Sequence, residues 1–203
     1  MEVDTTYGNV PQDVAERMAK SIVLAPAPQV ALSYPSGATE PWISALAYQM
    51  LKATGVASAL ETGAFMGHTS VWLAQAIRDM GGGDLHLCEI DPQRGYGVEA
   101  KLHDLNLPVL VRWKVYIQDA LQVIAGLPDR SLGLAFVDDD HTQEHVAKEI
   151  DALRPKMSQG GIILFHDVYG VCDLQKVVTH VGGYCLDFAR NGPAGGLGII
   201  QVR

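Results

Sequence analysis

The sequence is poor in cysteine, in basic residues and in long apolar runs. Its three cysteines, Cys88, Cys172 and Cys185, are odd in number and widely spaced among apolar residues. That pattern is typical of reduced core thiols rather than of a disulfide framework or a zinc site. Acidic residues outnumber basic ones by 23 to 15, which leaves a formal net charge of −8. Because nucleic acids and anionic membranes select basic surfaces, we expect neither as a partner.

No apolar stretch approaches the roughly 18 to 20 residues that a transmembrane helix requires, and the N-terminal sequence MEVDTTYGNV is polar and acidic rather than signal-like. We therefore expect a cytoplasmic protein. At 203 residues the chain fits one domain. We predict an N-terminal helix and connector over residues 1–38 and a single ligand-binding domain over residues 39–203.

Short apolar runs alternate with helical patterns along the predicted domain. The runs predict strands at 57–62, 85–90, 109–116, 132–138 and 161–167, and the helical patterns predict helices at 39–53, 69–80, 92–105, 120–127 and 142–157. These strands are too apolar to face water, which indicates a parallel sheet covered on both sides. Two last strands, at 184–189 and 197–202, are joined by a Gly/Pro turn. The predicted fold is α/β: a Rossmann-like, doubly wound, mostly parallel seven-stranded sheet with a C-terminal antiparallel hairpin.

The loop after the first predicted strand is the first place to look for a ligand, because open parallel sheets bind ligands beyond the carboxyl ends of their strands. Gly63 and Gly67 let the backbone approach a ligand, and the loop opens a helix whose N-terminal amides can bind a carboxylate. The Gly-x-x-x-Gly spacing, preceded by the acid Glu61, departs from the Gly-x-Gly-x-x-Gly of a pyrophosphate cradle. The glycines alone are also typical of a tight strand-to-helix turn.

Polar side chains follow the next two predicted strands. Glu89 lies about 20 residues beyond the glycine loop, where an acid can accept hydrogen bonds from both ribose hydroxyls. Gln118 and Asp119 follow the third strand, where an adenine amino group would lie. Each has a structural alternative, with Glu89 as a solvated strand end and Asp119 as a helix cap. Their order at three successive strand ends predicts a nucleoside site.

The motifs at these strand ends resemble those of a known family. The run Leu60-Glu61-Thr62-Gly63-Ala64-Phe65-Met66-Gly67-His68-Thr69-Ser70 is similar to the first motif of class I S-adenosylmethionine-dependent methyltransferases, in particular the catechol O-methyltransferase-like group, which has Leu-Glu-x-Gly-x-x-x-Gly-Tyr-Ser. Glu89-Ile90-Asp91-Pro92 is similar to the second motif, while His68-Thr69 replaces the usual Tyr-Ser. The resemblance implies S-adenosylmethionine as the cofactor. The predicted cofactor-binding residues are Glu61, Gly63, Ala64, Phe65, Gly67, His68, Thr69, Glu89, Ile90, Gln118, Asp119 and Asp138.

The fourth and fifth predicted strands end in Asp138-Asp139-Asp140-His141-Thr142 and in Phe165-His166-Asp167-Val168. Adjacent carboxylates repel one another unless a cation or solvent relieves the charge, which indicates a metal. Because side chains alternate along a strand, only one or two of the three acids can share a site with His166 or Asp167. Both runs resemble the methyltransferase 24-type group, with Asp-Gly-Asp-His-Ser-Tyr after the fourth strand and His-Asp after the fifth, which includes sugar O-methyltransferases.

The metal-dependent O-methyltransferases carry one acid after the fourth strand and a pair of ligands after the fifth. That resemblance implies Asp138, His166 and Asp167 as ligands of Mg²⁺. Imidazole is a softer ligand than a carboxylate, so Mn²⁺, Fe²⁺ or Zn²⁺ would also suit the set. The alternative for His166 is a histidine that only hydrogen-bonds Asp138 or Asp167.

His141 lies three residues beyond Asp138, where catechol O-methyltransferase-like enzymes place a lysine base. An imidazole with its ordinary pKa of about 6.5 can accept a hydroxyl proton as the methyl group arrives, so we expect His141 and Asp138 to carry the catalysis. The structural alternative for His141 is a polar neighbour of a helix cap.

These residues predict a methyltransferase that transfers a methyl group to a small hydroxylated molecule, with metal assistance left open. A non-catalytic nucleoside-binding module is a second interpretation, but it would have no reason to keep acids and histidines where the methyl group lies. A nicotinamide-dependent oxidoreductase is a third, and the glycine spacing speaks against it. A homodimer would suit an open cleft.

Overall fold

A computed structural model of the protein describes residues 39–169, 173–187 and 195–203. The predicted N-terminal helix and connector lie outside the described residues, as do Cys172 and most of the predicted hairpin turn. Of the other two cysteines, Cys88 is buried, Cys185 is half-buried, and both are free thiols. No helix in the described ranges is both long and apolar enough to cross a membrane.

The strands of the described chain form one sheet in the order β3-β2-β1-β4-β5-β7-β6. They are β1 (Ser58–Thr62), β2 (Gly83–Cys88), β3 (Val111–Tyr116), β4 (Leu132–Val137), β5 (Met157–Tyr169), β6 (Tyr184–Leu186) and β7 (Gly195–Gln201). The first five are parallel, and β7 pairs antiparallel with both β5 and β6. The predicted Rossmann-like fold with its antiparallel hairpin is confirmed. The strand order reverses at β1, which places a ligand crevice beyond the ends of β1 and β4.

Helices cover both faces of the sheet. They are α1 (Pro41–Thr54), α2 (His68–Asp79), α3 (Pro92–Asp104), α4 (Ala120–Gly126), α5 (Gln143–Leu153) and α6 (Gln175–His180). Proline starts α1 and α3, where its missing N–H costs nothing, and the side chains of Asp91 and Thr142 cap α3 and α5. Gly55 ends α1 in a left-handed conformation with φ of 72°.

The apolar core is divided by the sheet into two clusters. One includes Ile43, Leu73 and Leu102, which belong to α1, α2 and α3. The other includes Ile124 and Ile150, from α4 and α5, on the opposite face. Every residue of β4 is buried because this central strand is covered on both sides, as its continuous apolar run predicts.

Several boundaries differ from the predicted ones. The helix predicted over residues 142–157 ends at Leu153, because Pro155 cannot continue an α-helix, and a 3₁₀ turn over Arg154–Lys156 leads directly into β5. The strand β5 therefore starts before the predicted residue 161. The predicted third strand begins late, at Val111, and Val109 is exposed. Helix α6 was not predicted, since it has only six residues and little periodicity.

Candidate active site

A cavity of about 500 Å³ opens at the carboxyl ends of the central strands. It is lined by residues from each of the strand-end loops that carry the predicted motifs. The predicted site residues that line it are Glu61, Gly63, Ala64, Phe65, His68, Thr69, Glu89, Ile90, Gln118, Asp119, Asp138, His141, His166 and Asp167. Gly67 does not line it. A volume of this size is typical of small-molecule sites.

The glycine loop between β1 and α2 has two residues that only glycine suits. Gly63 has φ of 71°, and an added Cβ would lie 2.1 Å from the carbonyl oxygen of Asp138. Gly67 has φ of 72° and precedes α2, where an added Cβ would meet Val98 of α3. That contact with Val98, at 3.4 Å, is an ordinary van der Waals distance, so the left-handed turn is what favours glycine at position 67. Within the described residues no side chain caps the N-terminus of α2, which leaves its first amides available for an anionic ligand group at the cavity.

Glu89 connects the glycine loop to the start of α3. Its Oε2 accepts a hydrogen bond from the backbone N–H of Phe65 at 2.8 Å, and its Oε1 accepts one from the N–H of Asp91 at 2.9 Å. The side chain is buried but lines the cavity. Each carboxylate oxygen can still accept a second hydrogen bond, which is what two ribose hydroxyls need.

The predicted adenine end of the cavity carries one exposed apolar side chain and a helix cap. Ile90 is 74% exposed at the cavity wall, a position that suits the face of a flat ring. Asp119 accepts a hydrogen bond from the N–H of Gln122 at 3.2 Å and so caps α4, which is the structural role given above as the alternative to binding adenine. Gln118 also contacts Gln122, through a long side-chain hydrogen bond of 3.4 Å. Both side chains nevertheless line the cavity.

Two titratable side chains of the glycine loop region are shifted by burial. Burial raises the pKa of Glu61 to about 8, although Ser70 Oγ donates a hydrogen bond to it at 2.5 Å. Burial, helped by the positive charge of Lys101, lowers the pKa of His68. Near neutral pH the His68 imidazole is therefore largely neutral, and the Glu61 carboxyl would ionise if a positively charged ligand group lay beside it.

The three consecutive acids after β4 have different surroundings. Asp138 contacts His166, with its Oδ1 3.0 Å from Nδ1 of the imidazole. The Oδ2 of Asp139 lies 3.2 Å from Nε2 of His145. Asp140 accepts a hydrogen bond from the N–H of Thr142 at the start of α5. Among the three, only Asp138 contacts His166, in agreement with the alternation expected along a strand.

Asp138 is the centre of a hydrogen-bonded cluster. Thr39 Oγ1 donates to its Oδ2 at 2.8 Å, and Nε2 of His141 lies 3.4 Å from its Oδ1. The His141 contact is an ion pair rather than a directed hydrogen bond, because Nε2 is buried without a hydrogen-bond partner in the described chain. Burial alone would raise the pKa of Asp138, but His141, His166 and Thr39 hold it below its ordinary value. The carboxylate in turn raises the pKa of His141.

Glu40 completes the cluster from the start of α1. Its Oε2 lies 2.8 Å from Nε2 of His166, so both ring nitrogens of that histidine face carboxylates. Burial alone would lower the pKa of His166, but hydrogen bonds to Asp138 and Glu40 raise it to about 10. The donor atoms of Asp138, His141 and His166 all lie within 4.8 Å of one another, a spacing compatible with a shared cation.

Asp167 reaches the same cavity because β5 is irregular at its end. The pairing of β5 with β7 shifts register between His166 and Tyr169, and Asp167 adopts a left-handed φ of 52°. In a regular strand His166 and Asp167 would face opposite sides, but here Asp167 Oδ1 lies 3.6 Å from His166 Nδ1. Burial raises the pKa of Asp167 despite the neighbouring imidazole.

Sequence reasoning missed several residues of the cavity and its cluster. They are Thr39, Glu40, Arg94, Asp139 and His145. Arg94 lies over the ring of Phe65, 4.7 Å from its centroid. Glu40 stands next to Pro41 in a helix-start pattern, which gives no signal of chemistry. Asp139 could have been singled out from the sequence, because the methyltransferase 24-type group that this chain resembles has glycine at that position.

Comparison with known proteins identifies the family. A family model described as a methyltransferase domain matches residues 60–168, more than half of the chain, and the protein belongs to this family of methyltransferases. The resemblance seen in the sequence motifs is thereby confirmed. No curated protein matches the chain significantly in sequence.

Solved structures with a similar fold come from several organisms. The O-methyltransferase from Bacillus cereus in complex with SAH matches with a TM-score of 0.67 and 16% identity, over 93% of this chain and 90% of that chain. The O-methyltransferase TomG from Streptomyces achromogenes, involved in tomaymycin synthesis and bound to SAM, matches with a TM-score of 0.63 and 17% identity, over 92% and 88%. The SAH-bound methyltransferase PaMTH1 from Podospora anserina matches with a TM-score of 0.65 and 13% identity, over 96% and 97%. At these identities the likeness establishes the shared fold.

Proposed function

We propose that this protein is an S-adenosylmethionine-dependent O-methyltransferase that acts on a small hydroxylated molecule. The observation that carries the proposal is the position of His141. Its imidazole lines the cavity that also contains the glycine loop and Glu89, and its Nε2 lies 3.4 Å from Oδ1 of Asp138. A base and a nucleoside-binding acid in one cavity support transfer chemistry over simple binding.

The cofactor would bind along the strand ends in the order of the motifs. Glu89 would accept hydrogen bonds from the ribose hydroxyls, and Ile90 and Asp119 would lie beside the adenine ring. The amides at the start of α2 would donate to the methionine carboxylate. Glu61 supplies negative charge for the positive ammonium or sulfonium group, which would favour its ionised form. The SAH and SAM molecules in the B. cereus and TomG structures support this cofactor.

His141 would act as the base. A substrate hydroxyl next to the His141 imidazole would give up its proton to the ring as the oxygen attacks the methyl carbon, and the carbon–sulfur bond would break to leave a neutral thioether. Asp138 stabilises the imidazolium that forms, because its carboxylate lies 3.4 Å away. A cavity that held the oxygen and the methyl carbon in line would lower the entropic part of the barrier.

A divalent metal would fit the same cluster, as the family resemblance implies. Asp138 and His166 would be ligands, with His141 as a third by the spacing of donor atoms or Asp167 as a third by the sequence motif. His166 would bind through Nδ1, while Glu40 holds its Nε2–H, the usual support for a metal-bound histidine. The metal would supply Lewis acidity that makes a bound hydroxyl easier to deprotonate.

The test combines binding with turnover. Isothermal titration calorimetry should show binding of S-adenosylmethionine and of S-adenosylhomocysteine, and the absence of both would contradict the proposal. Turnover is measured as S-adenosylhomocysteine released with a panel of phenols, catechols and sugars. Binding without release for any acceptor, in wild type and in a His141→Gln variant alike, would instead favour a non-catalytic nucleoside-binding module.

The role of metal is decided in the same assay. Activity that survives a chelator assigns proton removal to His141 alone. Activity that is lost with a chelator and restored by Mg²⁺ or Mn²⁺ assigns it to a cation held by Asp138 and His166.

A further inference from the structure

A second group of metal-binding side chains lies on another part of the cavity wall. Asp139 lies in the loop two residues beyond the end of β4, and His145 and Glu149 lie one turn apart on α5. Nε2 of His145 is 3.2 Å from Oδ2 of Asp139 and 3.8 Å from Oε2 of Glu149. All three donor atoms lie within 4.8 Å of one another. None of these residues belongs to the cluster around Asp138.

The side chain of Glu149 is the observation that points to a ligand. It is completely buried, and neither of its carboxylate oxygens makes a directed hydrogen bond in the described chain, while Thr62 and Asp139 lie close enough to affect its pKa, which burial raises to about 9. Oδ1 of Asp139 is buried in the same way without a partner. Buried polar groups are almost always hydrogen-bonded or bound to an ion, so three unpaired oxygens in one cluster require an explanation.

We propose that Asp139, His145 and Glu149 form a binding site for a divalent transition-metal ion, with Zn²⁺ as the best match. Ligands about 2.1 Å from Zn²⁺ in a tetrahedron are about 3.4 Å apart, close to the observed separations of 3.2 and 3.8 Å. Two carboxylates and a neutral imidazole also balance the charge of such an ion, whereas Mg²⁺ prefers oxygen ligands only. Asp139 and His145 line the cavity, which gives an ion a route to this cluster.

The arrangement also follows from the secondary structure. Residues four apart on a helix lie on the same face, so His145 and Glu149 present their ligand atoms together without strain. Asp139 joins them because it lies two residues beyond the end of β4, where its Oδ2 contacts Nε2 of His145. The ion would therefore hold the first turns of α5 against the end of β4. The loop held between them carries Asp140 and His141.

The experiment measures Zn²⁺ binding by calorimetry after the protein has been stripped of metal with a chelator. We expect the wild type to bind one equivalent of Zn²⁺ at this cluster. The Glu149→Gln and His145→Gln variants should bind that equivalent at least tenfold more weakly. Glu144→Gln, an exposed acid on the same helix, is the matched control and should bind as the wild type does. His141→Asn removes a donor of the other cluster and should leave this equivalent intact.

Co²⁺ gives a second readout that does not depend on stability. Its visible absorption in a tetrahedral site should appear in the wild type and in His141→Asn, and disappear in His145→Gln. If Glu149→Gln fails to fold, Asp139→Asn replaces it, and circular dichroism confirms that each variant is folded. Unchanged Zn²⁺ affinity in the folded variants, or no Zn²⁺ equivalent in the wild type, would overturn the proposal in favour of a metal-free network of protonated acids.

Discussion

Nε2 of His166 lies 2.8 Å from Oε2 of Glu40, 126 residues earlier in the chain. Since Nδ1 of the same ring faces Asp138, the imidazole is held between two carboxylates and cannot turn. Glu40 is therefore a positioning residue: it acts through His166 and fixes the orientation of a ring that lines the cavity.

Replacing Glu40 by Gln should lower the pKa of His166, which the two carboxylates raise to about 10 against the opposing effect of burial. In the unfolded chain a histidine titrates near 6.5. The stability that protonated His166 contributes is thus fully present below about pH 6.5 and lost as the pH rises through about 10. Ring ¹⁵N NMR of metal-free protein measures the pKa, and urea unfolding between these pH values measures the stability.

Glu144→Gln, on the exposed face of α5, is the control for that experiment and should leave the His166 titration unchanged. An identical His166 pKa in Glu40→Gln would mean that Asp138 alone sets it. The methyl-transfer rate gives an independent readout, since a ring released by Glu40→Gln should lower kcat more than it changes cofactor affinity.

Glu61 should give the protein a second loss of stability with rising pH. Burial raises its folded pKa to about 8 from an ordinary value of 4.5. A raised folded pKa means that the contribution is complete below about pH 4.5 and is lost as the pH rises through about 8. The Glu61→Gln variant should therefore show a flatter unfolding free energy between these pH values than the wild type. Parallel curves for the two proteins would show that Glu61 does not titrate in this range.

Gly63→Ala should destabilise the protein by more than about 1 kcal/mol, the usual cost of a strained backbone residue. The added methyl group would stand 2.1 Å from the carbonyl oxygen of Asp138, at φ of 71°. Gly97→Ala is the matched control, because its Cβ meets open space within α3 and should add about 0.5 to 1 kcal/mol of stability. Urea unfolding of both variants measures the contrast, and equal effects would contradict this account of the loop.

The sequence was sufficient to predict features that depend on local pattern. The apolar runs gave the strands, and the chemistry after each strand gave Glu89, Asp138 and His141, because carboxyl ends of parallel strands share one edge. Features that depend on distant contacts were missed. Glu40 reaches His166 only after α1 packs on the sheet. Asp167 was predicted from the family resemblance, but the irregular end of β5 that turns it inward has no sequence signal beyond an ordinary strand end.

Glu89→Ala should weaken binding of S-adenosylmethionine by about 1 to 3 kcal/mol, the cost of losing hydrogen bonds to a charged group. That loss is roughly 5- to 150-fold in Kd. Calorimetry measures it, with Asp104→Asn at the exposed end of α3 as the control. Because Glu89 also holds the N–H groups of Phe65 and Asp91, a circular dichroism melt should accompany the titration. An unchanged affinity would place the ribose contact elsewhere.

His141→Gln should lower the rate of methyl transfer by about 10² to 10⁴-fold, the range for loss of a general base, without changing cofactor affinity. Only the neutral imidazole can accept a proton, and Asp138 raises the pKa of His141. The wild-type rate should therefore rise with pH, with a midpoint above the ordinary value of about 6.5. His180→Gln, an exposed histidine at the end of α6, is the control and should keep both the rate and the midpoint. A full rate in His141→Gln that falls only when a chelator is added would transfer proton removal to a cation at Asp138 and His166.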